Sequence, residues 1–99
     1  MGKQNKEAEK KIIRPGKDII AEQAESLNQK LFKIIHQGVR RLTLDFKNVK
    51  SLDPVGLSVI AAAHNTLNSS GAKMILKNVS QETAQLLETL GLSVHFEIE

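Results

Sequence analysis

At 99 residues the chain is the size of one compact domain and too short for two with separate cores. Hydrophobic residues make up 40% and charged residues 25%, the balance of an ordinary globular protein, which excludes a disordered or fibrous chain. The formal charge of +3 is concentrated at the start, where Lys3, Lys6, Lys10, Lys11, Arg14 and Lys17 face only Glu7 and Glu9.

There is no cysteine, so disulfides, thiolate metal ligands and a cysteine nucleophile are excluded, and the fold rests on apolar burial. No apolar run approaches the ~20 residues that span a bilayer, and the N-terminus is polar where a secretory signal needs an apolar stretch. The expectation is a cytoplasmic protein with no membrane insertion. Residues 1–10 read as a basic, flexible tail and 11–99 as the domain. Without interleaved aromatics or an arginine cluster the tail gives no support for nucleic-acid binding.

In chain order, Lys11 to Arg14 and Asp18 to Ile20 are short apolar runs flanking Pro15-Gly16, a turn pair, and read as two short strands at a sheet edge. Ala24, Leu27, Leu31, Ile34 and Ile35 recur at helical spacing and stop at Gly38. Leu42, Leu44 and Phe46 alternate with Thr43 and Asp45, the signature of a strand with one apolar face, which Val49 and Leu52 continue loosely. Asp53-Pro54 then starts a second helix, because a carboxylate at the cap accepts from exposed N–H groups and proline at the first helical position loses nothing. That helix runs to about Asn68. Two apolar registers compete on it, Leu57-Ile60-Ala61-His64 and Gly56-Val59-Ile60-Ala63-Leu67, and the second continues further.

Gly71 ends the helix, and Met74, Ile75, Leu76 and Val79 form a nearly continuous apolar strand of the kind covered on both faces. Ser80 suits an N-cap for a third helix with Ala84, Leu86, Leu87 and Leu90, stopped by Gly91. Leu92, Val94, Phe96 and Ile98 alternate to the end as a strand. The order β-β-α-β-α-β-α-β predicts an α/β domain with a mixed sheet of four to five strands and helices packed on it.

The six glycines are scattered singly, so neither a phosphate loop nor a dinucleotide fingerprint is present, and no cofactor is expected. His36, His64 and His95 lack the close spacing of a local metal motif. Asp45 points away from its strand's apolar face, either buried or exposed near the sheet's end. Asp53 sits at a strand-to-helix corner, where partners approach an α/β sheet, although helix capping accounts for it equally.

Leu42-Thr43-Leu44-Asp45-Phe46, then Ser51-Leu52-Asp53-Pro54-Val55-Gly56-Leu57, Ser70-Gly71-Ala72-Lys73 and Leu90-Gly91-Leu92 resemble the STAS family, the domains of bacterial anti-sigma factor antagonists. The similarity covers roughly Ile12 to Ile98. It implies function by protein docking, without catalysis or cofactor. In phospho-regulated members the loop before the second helix carries an Asp-Ser-Ser-Gly type motif whose second hydroxyl residue is phosphorylated by a partner kinase. Here the tetrad is Asp53-Pro54-Val55-Gly56, and Val55 has no oxygen to accept a phosphoryl group.

The resemblance therefore implies a docking surface at Ser51, Asp53, Pro54, Val55, Gly56, Leu57 and Ser58 that lacks the usual switch. Its expected partner is an anti-sigma factor, a related kinase or a subunit of a larger assembly, such as a lipid-transport complex. Ser51 and Ser58 are the nearby hydroxyls that could substitute as phosphosites, local backbone hydrogen bonding being the plainer reading. A small-ligand or nucleotide sensor, and a hydrolase built on Asp53 and a histidine, are the competing functions. Oligomeric state is not legible.

Overall fold

The computed structural model describes residues 10–92 and 96–99. Within them lie strands β1 (Lys10–Ile13), β2 (Asp18–Ile19), β3 (Arg41–Asp45), β4 (Ser51–Leu52), β5 (Lys73–Lys77) and β6 (Glu97–Ile98), with helices α1 (Ala24–His36), α2 (Pro54–Ser69) and α3 (Gln81–Thr89). A 3₁₀ turn at Ala21–Gln23 leads into α1.

Four strands form the main sheet in the order β1-β3-β5-β6, and β2 pairs with β4 in a second, two-stranded sheet. Every ladder among the described residues is parallel, where a mixed sheet was expected. The reason lies in the first two strands. Pro15-Gly16 turns the chain away from β1 instead of folding β2 back onto it, so β1 reaches β3 only after β2 and α1 have intervened. Parallel neighbours need such crossover connections. Lys10, read as the end of the tail, is the first residue of β1.

The register fixes the two faces. Lys11, Leu42 and Met74 stand abreast, as do Ile13, Leu44, Leu76 and Ile98, and this face meets the helices. Leu42, Leu44, Met74 and Leu76 are each buried in the core together with Leu27 and Leu31 of α1, Leu57, Ile60, Ala63 and Leu67 of α2, and Leu87 of α3. Burying one such side chain fully contributes about 1.5–3 kcal/mol, which is how a domain without cross-links holds together. α2 packs against both α1 and β5, so its axis is fixed from two sides.

On α2 the two competing registers turn out to overlap: Gly56, Ile60, Ala63 and Leu67 of the second are buried, and so is Leu57 of the first. Two other apolar positions depart from expectation. Leu90 is exposed because it stands at the C-cap of α3, past the last turn that faces the core, and Ile98 is exposed because β6 is an edge strand. Ser93 to His95, part of the predicted last strand, lie outside the described residues. Gly38 and Gly71 follow α1 and α2 with φ of 88° and 79°, the left-handed conformation that glycine adopts without steric cost.

The outer face carries Lys10, Arg41 and Lys73 in one row and Ile12, Thr43, Ile75 and Glu97 in the next. Ile75 is only 1% exposed although it belongs to this face. The Arg41 and Glu99 side chains, 3.6 Å apart, reach toward each other from either side of β5.

Asp45 resolves as a buried carboxylate at the end of β3. Its Oδ1 accepts from Asn78 Nδ2 at 2.8 Å and from the Lys47 N–H at 3.0 Å, and its Oδ2 lies 3.3 Å from Arg14 Nε. Asn78 holds a φ of 59°, a conformation asparagine tolerates better than most residues. The carboxylate thus ties together the segments that follow β1, β3 and β5. The Asn78 amide, the Lys47 N–H and the Arg14 guanidinium together hold its pKa below the usual aspartate value, against the opposing pull of burial.

A lowered folded-state pKa stabilises the fold above the unfolded value of about 3.9 and loses that contribution as pH falls through the folded value. Asp45→Asn is therefore expected to lower the urea midpoint at pH 7 and to flatten its decline between about pH 5 and pH 2. Equal pH slopes in the two proteins would show that the network does not bias folding.

Candidate functional site

β4, Asp53 and the first turn of α2 occupy the end of the main sheet where the parallel strands finish. Asp53 is the N-cap residue, extended at φ −134°, and Pro54 follows at the first helical position. Its Oδ1 accepts from the Gly56 N–H at 2.8 Å, satisfying one of the donors that a helix start leaves free. Its Oδ2 accepts from the Ala21 N–H at 3.0 Å, across 32 residues of sequence. One carboxylate therefore caps α2 and anchors the turn into α1 at the same time. The Gly56 and Ala21 N–H groups lower the Asp53 pKa against a smaller desolvation effect, and the Val55 N–H adds a lesser lowering. Asp53 stays charged at neutral pH.

The backbone is fastened to the N-terminal segment along the same line. Lys17 O accepts from the N–H groups of Lys50 (2.7 Å) and Ser51 (3.0 Å), and Ile19 O accepts from Asp53 N–H at 3.1 Å. Gly56 completes the junction. A Cβ there would fall on the carbonyl group of Ile19 and within 2.9 Å of Ile19 Cγ2. The chain can pass Ile19 at this distance only because residue 56 has no side chain.

Among the seven residues expected to form a docking surface, Gly56 and Leu57 face inward and serve the architecture, while Pro54, Val55 and Ser58 face outward and Asp53 is half-buried. Val55 is 50% exposed, one of four large hydrophobic side chains so exposed among the described residues. Ser58 donates its hydroxyl to Val55 O at 2.6 Å, and Ser51 is an exposed residue of β4. Sequence reasoning did not find Lys17, Ile19 and Ala21, which supply the clamp. A glycine inside a helical pattern was the available signal, since it weakens a helix by about 1 kcal/mol relative to alanine unless packing requires it.

Beside this loop an open groove of about 440 Å³ runs between β4 and the start of α3, lined by Val49, Lys50, Leu52, Glu82, Thr83 and Leu86 among others. Ser80 caps α3 there, accepting from Thr83 N–H at 3.1 Å. The histidines lie elsewhere: His36 is exposed at the end of α1, and His64 is half-buried with its ring centroid 5.0 Å from that of Phe96. His95 is outside the described residues. Among the described residues no three His, Asp or Glu side chains gather as a metal-binding group, and no helix is long and apolar enough to cross a membrane.

A family model described as the STAS domain matches residues 3–99. This chain belongs to the STAS domain family. Solved structures agree on the fold of this STAS domain. A putative anti-sigma factor antagonist from Thermotoga maritima superposes with a TM-score of 0.82 at 24% identity, over 88% of this chain and 75% of that one. The anti-sigma factor antagonist SpoIIAA in its unphosphorylated form gives a TM-score of 0.77 at 18% identity, over 92% of this chain and 81% of that one. The phosphorylated form of SpoIIAA, a Bacillus cell fate determinant, gives 0.74 at 20% identity, over 97% and 87%. No curated protein sequence matches the chain.

Proposed function

We propose that this STAS domain is a non-catalytic docking module that engages a regulatory protein partner through the loop and helix start at 51–58, without a serine phosphorylation switch. The observation that carries the reading is Val55. It stands half exposed at the second position of α2, on a loop whose backbone is held by Asp53, Lys17 and Ile19, where the family resemblance places the phosphoacceptor. A held loop loses little conformational entropy on binding, and a partly exposed apolar side chain gains by leaving water.

Phosphorylation at such a position would add nearly two negative charges beside the Asp53 carboxylate and change what the surface accepts. Val55 removes that control, so docking is constitutive. Ser58 does not replace it, because its hydroxyl is already engaged with Val55 O inside the first turns of α2. The adjoining groove, with Val49, Leu52 and Leu86 along it, suits a partner's apolar side chain. The fold shared with SpoIIAA and with the putative Thermotoga maritima antagonist supports an anti-sigma factor or a related kinase as the class of partner.

The test is an NMR titration of labelled protein with candidate anti-sigma factors and kinases, beside a Val55→Ser variant incubated with kinase and ATP. The expected result is shift changes centred on Asp53 to Ser58, with phosphate incorporated by the variant alone. Binding that perturbs another face and leaves 51–58 unchanged would refute the proposed surface. Phosphorylation of the natural chain at Ser51 or Ser58 would refute the absence of a switch.

A further inference from the structure

The two edges of the main sheet differ in charge. β1 forms one edge, and among the described residues no strand pairs with its outer side; β6 forms the other edge in the same way. Such edges expose a row of N–H and C=O groups that can template a further strand. On the outer face of the sheet the β1 edge presents Lys10 and Ile12, followed by Arg14, and the β6 edge presents Glu97, followed by Glu99. Ile12 is 61% exposed and Ile98 is 41% exposed, so each edge also carries one of the four exposed large hydrophobic residues.

We propose that a second copy of this chain is the occupant of these edges, the β1 edge of one copy adding in parallel to the β6 edge of the next. Strand geometry supports the match. Side chains alternate between faces, so a pairing that keeps the two outer faces together has a choice of registers two residues apart. If Glu97 lies opposite Lys10, then Glu99 lies opposite Ile12 and diagonal to both Lys10 and Arg14. If Glu97 lies opposite Ile12, Glu99 faces Arg14, whose side chain is 64% exposed although its Nε lies 3.3 Å from Asp45. Either register sets each carboxylate directly or diagonally across from a cation, where opposite charges attract. Pairing β1 with β1, or β6 with β6, brings like charges together and is disfavoured.

Glu99 already lies 3.6 Å from Arg41, but both side chains are about half exposed, and an exposed pair of this kind exchanges at little cost. The association is heterologous, so it leads to short open chains. With strands of four and two residues the contact belongs to the small, transient class below about 1,200 Å². Lysines on an edge strand ordinarily discourage pairing, and here they do so selectively, since only an acidic edge is welcome.

Sedimentation velocity from about 20 μM to about 1 mM, at low salt and at about 0.5 M salt, tests this. The average mass is expected to rise with concentration at low salt, approaching about twice the monomer at the top of the range, and to fall back at high salt. Lys10→Glu/Ile12→Glu and Glu97→Lys/Glu99→Lys alter exposed positions, and matching circular dichroism melts would establish that both fold. Each variant alone is expected to remain monomeric, and a mixture of the two to associate, because each then supplies the edge charge the other lacks. A natural chain that stays monomeric throughout, or a mixture that does not associate, would overturn the proposal. Sedimentation of the monomer with anionic phospholipid vesicles, abolished by Lys10→Glu, would assign the basic edge to a lipid surface instead.

Discussion

Gly56→Ala is expected to lower stability by about 3 kcal/mol or more, and the melting temperature by roughly 12–24 °C for a domain of this size. Two effects of opposite sign compete at this position. Alanine is the better helix former by about 1 kcal/mol, and Gly56 lies inside α2, so on propensity alone the substitution stabilises. Against this, the new Cβ would meet the backbone carbonyl of Ile19, together with its Cγ2 at 2.9 Å. A flexible side chain could swing aside, but the carbonyl cannot move without disturbing its bond from Asp53 N–H and the β2–β4 pairing next to it. Overpacking of this kind typically costs 1–3 kcal/mol, and more when the obstruction is backbone. Urea denaturation decides the sign: an unchanged or raised midpoint would show that the clamp between β2 and α2 yields easily. The same variant should also lose protection from amide exchange at position 56, whose N–H is held by Asp53 in the natural chain.

The contrast between what sequence patterns reveal and what they conceal follows from the range of the interactions. α1 and β3 announce themselves because each presents a full period of apolar residues to one core, and the cap of α2 because Asp53-Pro54 is a local signal. The pairing of β2 with β4 is invisible in sequence, since strands of two residues have no period to read. Asp45 remained open between buried and exposed because the residue that satisfies it, Asn78, is 33 positions away. Gly56 matched a family motif, but the physical reason for it is Ile19, on a different segment. The same holds for Asp53, where the local capping bond was foreseeable and the bond from Ala21 N–H was not. A helix cap therefore sufficed to explain Asp53, whereas the fold gives the same carboxylate a second task in holding the loop.

If that loop is a docking surface, Val55→Asp is expected to weaken partner binding about 30–100-fold while leaving the fold intact. The two readouts separate because Val55 is half exposed and packs little into the core, so its replacement should change stability by no more than about 0.5 kcal/mol. Position two of a helix even favours an acidic residue, which meets the positive end of the helix dipole. At a docked interface the effects reverse. The variant loses apolar burial and places a second carboxylate beside Asp53, which the Gly56 and Ala21 N–H groups keep charged at neutral pH. Losing a central apolar contact and desolvating a charge together reach the 2–3 kcal/mol of an interface hot spot, and each 1.4 kcal/mol is tenfold in affinity. Calorimetric titration of the natural chain and of Val55→Asp against the same partner, with melting curves for both, measures the two quantities. Equal affinities would place the contact elsewhere on the molecule. A matching loss of affinity and of stability would mean that Val55 supports the fold more than its exposure implies.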